Sequence, residues 1–135
     1  ELMRALARPG AKAPLTCSAV GKACLAFMPR QKADRMIAKA GISQLTRKSH
    51  ITSTSLWKDL DGTRKRQFAV DDEEHSDGLR CVSAPLFGPK SEVVGALSVS
   101  GPSVRISDQH MASFGQIVKR VSLDMTKALG GTWPE

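Results

Sequence analysis

The sequence predicts an α/β (α+β) domain in which helices flank an antiparallel β-sheet. Two segments, 79–87 and 93–100, are rich in β-branched and small apolar residues, as strands are. Only the short stretch Gly88-Pro89-Lys90 and its neighbours joins them. Parallel strands need a longer crossover, usually a helix, so these two strands are expected to pair antiparallel. A long helix follows from Ser107-Asp108, because apolar residues recur there every three or four positions.

Two short helices are expected before the sheet. Ser18 is a favoured N-cap residue, and apolar residues recur at helical spacing after it until Met28-Pro29 ends the run. The second helix is expected over 30–40, because Pro29 suits a helix start and Gly41 a helix end. Together they form an amphipathic helical pair.

The remaining elements are two short strands and a third helix with weaker sequence signals, and the long last helix. Thr54 is expected to cap a third helix that the Asp61-Gly62 pair interrupts, and residues 68–71 and 2–6 are expected to form short strands. The last helix is expected to end at Gly130-Gly131 and to lie on the sheet. Its apolar face consists of Met111, Phe114, Val118, Val121, Met125 and Ala128.

Composition limits the class of protein. The chain has 135 residues, 41% of them hydrophobic, which matches one ordinary domain, and no apolar run approaches the roughly 18 residues of a membrane span. Three cysteines without a C-x-x-C pair suit a reducing cytoplasm. The 20 Lys and Arg exceed the 13 Asp and Glu, giving a net charge of +7. Because the basic residues are spread, we interpret the charge as solvated surface and keep a basic nucleic-acid-binding domain as an alternative.

Catalytic signatures are missing from the sequence, which predicts neither an enzyme nor a cofactor. Residues 71–77 crowd five acidic residues around His75, and carboxylates with imidazole can bind a divalent metal. A solvated acidic turn at the end of a strand is the favoured interpretation. A small cysteine-dependent enzyme, using Cys81 with His75 or Asp71, is kept as a second alternative.

A candidate pocket emerges from strand alternation. Leu79, Cys81 and Ser83 share one face of their strand, as Ala96, Ser98 and Ser100 share one face of the next. Buried serines need hydrogen-bond partners, which a small ligand or solvent can supply. A helix beginning near Ser18 also offers the free N–H groups of Ala19 and Val20, which bind a carboxylate well. Asp71 can accept a hydrogen bond from a ligand hydroxyl.

Three motifs carry a resemblance to a known family. They are Pro14 to Ala23 (PLTCSAVGKA), Asp71 to Pro85 (DDEEHSDGLRCVSAP) and Ala96 to Pro102 (ALSVSGP). In this order they resemble the effector-binding domain of the IclR family of bacterial transcriptional regulators. The resemblance implies a GAF- or profilin-like domain that binds a small-molecule effector and assembles as a homodimer or homotetramer.

The resemblance also implies which residues contact the effector. They are Ala19 and Val20 as backbone donors, Asp71, Cys81, Ser98 and Ser100 as polar or thiol contacts, and Leu79 as an apolar wall. In the family a winged helix-turn-helix binds DNA, and this chain is expected to lack that domain. The family domain would also have a helix and two strands before Leu2. The chain is therefore expected to be a single effector domain that is incomplete at its N-terminus. It is expected to contact DNA only through the missing winged helix-turn-helix and not to contact membranes.

Overall fold

The computed structural model describes residues 12–134 and has four helices and three strands within them. The elements are α1 (Ala19–Ala26), α2 (Arg30–Ala40), α3 (Ser53–Arg66), β1 (Ala69–Asp72), β2 (Leu79–Phe87), β3 (Val93–Pro102) and α4 (Asp108–Ala128). The predicted bounds of α2 and β2 are confirmed. The strand expected over 2–6 lies outside the described residues.

The three strands form one antiparallel sheet in the order β1-β2-β3. This arrangement confirms the predicted fold class. The register places Asp71 opposite Cys81, and Cys81 opposite Ser100. Because side chains alternate along each strand, the register also fixes which residues share a face.

Helix α4 covers one face of the sheet and builds an apolar core there. The buried members of this core are Phe68, Val82, Ala84, Ile106, Met111 and Val118. The second half of α4 differs from the prediction, because Val121, Met125 and Ala128 are exposed and Ser122 and Thr126 are fully buried. The Ser122 hydroxyl donates to the Pro85 carbonyl, and the Thr126 hydroxyl accepts from the Phe87 N–H at 3.2 Å. Strand backbone, rather than apolar side chains, lies opposite this part of the helix.

Helix α1 lies on the opposite face and contacts all three strands. It is almost wholly buried, and α2 and α3 pack beside it around Leu25, Ile37 and Leu56. Gly41 ends α2 with a φ of 76°, a conformation that glycine adopts without steric cost. The sheet is therefore flanked by helices on both faces.

Helix α3 corrects the sequence prediction at both ends. Thr52, not Thr54, is the N-cap, and its hydroxyl accepts from the Ser55 N–H at 3.1 Å. The helix continues through Gly62 to Arg66. A glycine inside a helix costs about 1 kcal/mol, less than burial of the flanking Leu60 and Thr63 recovers.

Candidate functional site

The N-terminus of α1 forms one side of the candidate site. The Ser18 hydroxyl accepts from the Gly21 N–H at 3.0 Å and donates to the Pro14 carbonyl at 2.6 Å. The N–H groups of Ala19 and Val20 precede the first bonds within the helix, and among residues 12–134 no acceptor takes them. Ala19 is buried, and Val20 is partly exposed.

The facing side is the polar face of the sheet. Asp71, Cys81 and Ser100 form one row across the three strands, and Ser98 lies opposite Ser83 in the next row. Leu79 lies opposite Pro102 at the end of the sheet. These positions confirm the predicted alternation. Cys81 and Ser83 are buried, whereas Ser98 and Ser100 are exposed, so solvent reaches one edge of this face.

Cys81 has the environment of a structural thiol rather than a nucleophile. Burial raises the pKa of the Cys81 thiol, although hydrogen bonds from Ser100 and Ser98 oppose the rise. The Ser100 hydroxyl lies 3.2 Å from the Cys81 sulfur. His75 approaches Asp71 through its backbone N–H, at 3.3 Å, rather than through its ring. The geometry therefore does not favour a cysteine nucleophile activated by this histidine.

Asp71 is a buried carboxyl, and one of its two oxygens already accepts hydrogen bonds. It is 2% exposed, and its Oδ1 accepts from the backbone N–H groups of Glu74 at 2.8 Å and His75 at 3.3 Å. Burial raises the pKa of Asp71 to about 6, and the Glu74 charge adds to the rise, while these two hydrogen bonds and Lys22 oppose it. Among the described residues, Oδ2 has no hydrogen-bond partner. Asp71 can therefore act as a neutral donor or an ionised acceptor near neutral pH.

The acidic turn is only partly the solvated segment that the sequence predicted, because Ser76 and Asp77 alone are exposed. Asp71 and Glu74 are both buried, and Ser49 and Thr46 tie the turn to the preceding loop. The Ser49 hydroxyl donates to the Glu74 carbonyl at 2.5 Å, and the Thr46 hydroxyl to the Glu73 carbonyl at 2.6 Å. Side chains of the preceding loop therefore hold the backbone of the turn.

Lys22 is the charged residue that sequence reasoning missed. Its side chain is fully buried inside α1, and Nζ lies 2.7 Å from Asp59 Oδ2 and 2.7 Å from Glu74 Oε1. Nζ also donates to the Val70 carbonyl. A lysine within the otherwise apolar run of α1 is the sequence signal that could have revealed it, because a buried ammonium requires a set of acceptors.

His50 completes this cluster. Its Nε2 lies 2.8 Å from Asp59 Oδ2 and 3.7 Å from Glu74 Oε1, and its Nδ1 lies 2.7 Å from the Ser55 hydroxyl. Within residues 12–134, His50, Asp59 and Glu74 are the group whose ligand atoms could together hold a metal, and His75 does not belong to it. The Lys22 ammonium already lies between the two carboxylates, where it would repel a cation. The arrangement therefore favours an ion network over a metal centre.

An open cleft of about 540 Å³ lies beside this network. His50, Asp59 and Glu74 line it together with Lys48 and Arg66. None of the seven predicted contact residues lines this cleft. The cleft and the predicted effector contacts are therefore made of different side chains.

A family model agrees with the fold. The model described as "Bacterial transcriptional regulator IclR C-terminal" matches residues 1–127. The chain therefore belongs to the IclR family of bacterial transcriptional regulators, as the three motifs predicted.

Individual relatives support the same family. The chain is 38% identical to the transcriptional repressor IclR of Escherichia coli and 36% identical to the acetate operon repressor of Salmonella typhimurium. These alignments cover 97% and 98% of this chain and 48% of each relative, so the chain spans about half of their length. The crystal structure of the Thermotoga maritima IclR aligns with a TM-score of 0.90 at 26% identity, covering 96% of this chain and 53% of that one. Both sequence relatives are transcriptional repressors.

Within residues 12–134, no helix is both long and apolar enough to cross a membrane.

Proposed function

We propose that this chain is the effector-sensing domain of a cytoplasmic IclR-family regulator and binds a small carboxylate-bearing or oxygen-rich metabolite. The observation that carries the proposal is the pairing of a helix N-terminus with a polar sheet face. The free N–H groups of Ala19 and Val20 suit a carboxylate. Asp71, Cys81 and Ser100 offer hydrogen-bonding groups in one row beside them.

The mechanism that we propose is a population shift in an oligomer. A ligand that contacts both α1 and the sheet favours the arrangement in which these elements are closest. Two or four copies of the domain would pass that preference to a winged helix-turn-helix of the regulator, which would contact DNA. The domain itself performs no catalysis in this proposal.

The proposal is tested by a thermal-shift screen of the purified chain against small carboxylates, sugar acids and aromatic acids. A ligand at 100 times its Kd should stabilise the fold by about 2.7 kcal/mol, which moves the melting midpoint by several degrees. Below about pH 6, where Asp71 keeps its proton, Ser98→Ala and Asp71→Ala should each weaken binding by about 1–3 kcal/mol. Ser113→Ala, on the exposed side of α4, is the matched control and should bind as the parent does.

Two results would contradict the proposal. A folded chain that binds no compound of the panel would argue against a sensor of small acids. Equal affinity of the parent, Ser98→Ala and Asp71→Ala would remove these residues from the site. For the oligomer step, sedimentation of the full regulator with and without the ligand should show a change in assembly or in DNA affinity.

A further inference from the structure

The cluster of Lys22, Asp59, Glu74 and His50 adjoins Asp71 of the polar sheet face through Glu74, and two of its members, Lys22 and Glu74, are buried. Its four members come from α1, α3, the acidic turn and the loop before α3. Buried ion networks cost desolvation energy and are weak evidence for stability alone. The position of this network next to Asp71 indicates a second role.

Glu74 connects the network to Asp71. Its backbone N–H donates to Asp71 Oδ1 at 2.8 Å, and its side-chain Oε1 and Oε2 lie 2.7 Å and 2.9 Å from Lys22 Nζ. Glu74 Oε2 also accepts from the Asp72 N–H at 3.2 Å, which binds the side chain back to β1. One residue therefore positions the Asp71 carboxyl and places a negative charge beside it.

Lys22 fixes Glu74 and supplies the opposing charge. It lies one helical turn after Ser18, so it also anchors the α1 N-terminus to β1 through the Val70 carbonyl. Two charged groups from the surrounding elements shift the pKa of Asp71, namely Lys22 on α1 and Glu74 in the turn. The Asp71 charge in turn raises the pKa of two buried thiols, Cys17 before α1 and Cys81 on β2. Among these groups, Lys22 and Glu74 carry full charges of opposite sign.

We propose that Lys22 and Glu74 are positioning residues of the effector site, which hold the Asp71 carboxyl in place and set the pH range in which it keeps its proton. The inference rests on the proposed function for its link to a ligand. A protonated Asp71 donates a hydrogen bond to a carboxylate, whereas an ionised Asp71 repels it. The network would thus select the ionisation state in which the domain binds an anionic effector.

The direct test is a pH titration of the Asp71 carboxyl carbon by NMR in the whole chain, which needs no ligand. Glu74→Gln removes a like charge and keeps the backbone N–H bond to Asp71, so it should lower the pKa of Asp71 by about 1. Lys22→Met removes the opposing charge and should raise it. Asp59→Asn, which removes the other carboxylate partner of Lys22, is the matched control and should leave the Asp71 midpoint within about 0.3 of the parent.

A purely structural network would not move the midpoint in opposite directions, so this pattern separates positioning from stability. Identical midpoints in the parent and Glu74→Gln would overturn the inference. If Lys22→Met does not fold, the comparison of Glu74→Gln with Asp59→Asn decides the question alone.

Calorimetric titration with propionate, from pH 5 to pH 8, links the network to binding. The affinity for propionate should fall tenfold for each pH unit above the Asp71 midpoint. The pH at which the affinity begins to fall should move with the midpoint in each variant. Propionate binding that is independent of pH would overturn the coupling to a ligand. Shifted NMR midpoints without any propionate binding would support the tuning of Asp71 and count against the proposed carboxylate effector.

Discussion

The two faces of the sheet are both covered by a helix but are built from different chemistry. The α4 face is apolar, with Val82 and Ala84 of β2 packed against Met111 and Val118. The α1 face carries Asp71, Cys81 and Ser83 instead, with Lys22 buried beside them. Burial of apolar surface stabilises a fold without regard to direction, whereas buried polar groups require defined partners.

The difference indicates that the two faces have different roles, one in stability and the other in binding. The α4 face supplies stability, because its side chains need only be close-packed. Burying the polar groups of the α1 face costs stability, because each of them needs a hydrogen-bond partner. The same groups can form directional hydrogen bonds with a ligand. Substitutions on the first face are therefore expected to change unfolding alone, whereas those on the second are expected to change ionisation and binding as well as unfolding.

The largest effect is expected from Lys22→Met on the α1 face. Removing the ammonium leaves Asp59 and Glu74 facing each other without their common counter-charge. Breaking a buried pair in this way costs about 3–5 kcal/mol in the free energy of unfolding. Urea denaturation measures the loss, and the exposed Lys58→Met on α3 should remain within about 0.5 kcal/mol of the parent. A similar small change in both variants would show that the network contributes little stability.

Asp71→Asn should have the next largest effect, and its sign depends on pH. Because burial raises the pKa of Asp71 from 3.8 to about 6, the folded state binds this proton more tightly than the unfolded state. The stability that this proton contributes is complete below pH 4 and is lost as the pH rises through about 6. Asn keeps the acceptor for the Glu74 and His75 N–H groups and does not ionise.

The variant and the parent should therefore unfold alike near pH 4. At pH 8 Asp71→Asn should be more stable by roughly 1–3 kcal/mol. Chemical denaturation at both pH values gives the difference, in which the titration of other carboxyls cancels. A constant difference from pH 4 to pH 8 would contradict a raised pKa of Asp71.

Val82 and Ser83 allow the two faces to be compared at adjacent positions. Val82→Ala removes two methyl groups from the α4 core and should cost about 2 kcal/mol. Ser83→Ala removes a hydroxyl that donates to the Leu97 carbonyl at 2.9 Å and should cost about 1 kcal/mol. Thermal unfolding of both variants orders the two effects. The reverse order would mean that, at these adjacent positions, the buried hydroxyl contributes more to stability than the core methyl groups do.

The smallest effect concerns the Cys81 thiol. Because burial raises its pKa, Cys81 should react with iodoacetamide at pH 7 much more slowly than a free cysteine does. Mass spectrometry of the labelled peptide, with the unfolded chain as the reference, measures the ratio of rates. Labelling of Cys81 at or above the rate of the unfolded chain would support the alternative in which Cys81 is the nucleophile of an enzyme.

The sequence predicted the elements whose signals are local. Gly41 ends α2 and Ser18 begins α1 as expected, because caps and stops depend on a few neighbouring residues. The alternation along β2 and β3 was predicted for the same reason, whereas the register that places Asp71, Cys81 and Ser100 in one row came from the structure. Gly62 shows the limit, because tertiary burial of its neighbours outweighed its poor helix propensity.

The rest of the site depends on contacts between distant parts of the chain. Lys22, His50, Asp59 and Glu74 meet only after α1, α3 and the turn have packed, so no spacing in the sequence predicts the cluster. The exposure of Val121 and Met125 has a similar origin. Periodicity gives the apolar face of α4, but the strand backbone opposite Ser122 and Thr126 decides which residues are buried.

Pro85 has a consequence for self-association. It lies in β2 beyond Ser83, where β1 no longer pairs, so this stretch would otherwise offer a free edge to a strand from another molecule. Proline brings no N–H, Ser122 occupies its carbonyl and Thr126 occupies the Phe87 N–H. The backbone after α4 continues the cover, because the Thr132 N–H bonds to the Gly88 carbonyl at 3.0 Å. The hydroxyls of α4 thus occupy backbone groups that an added strand would need for pairing.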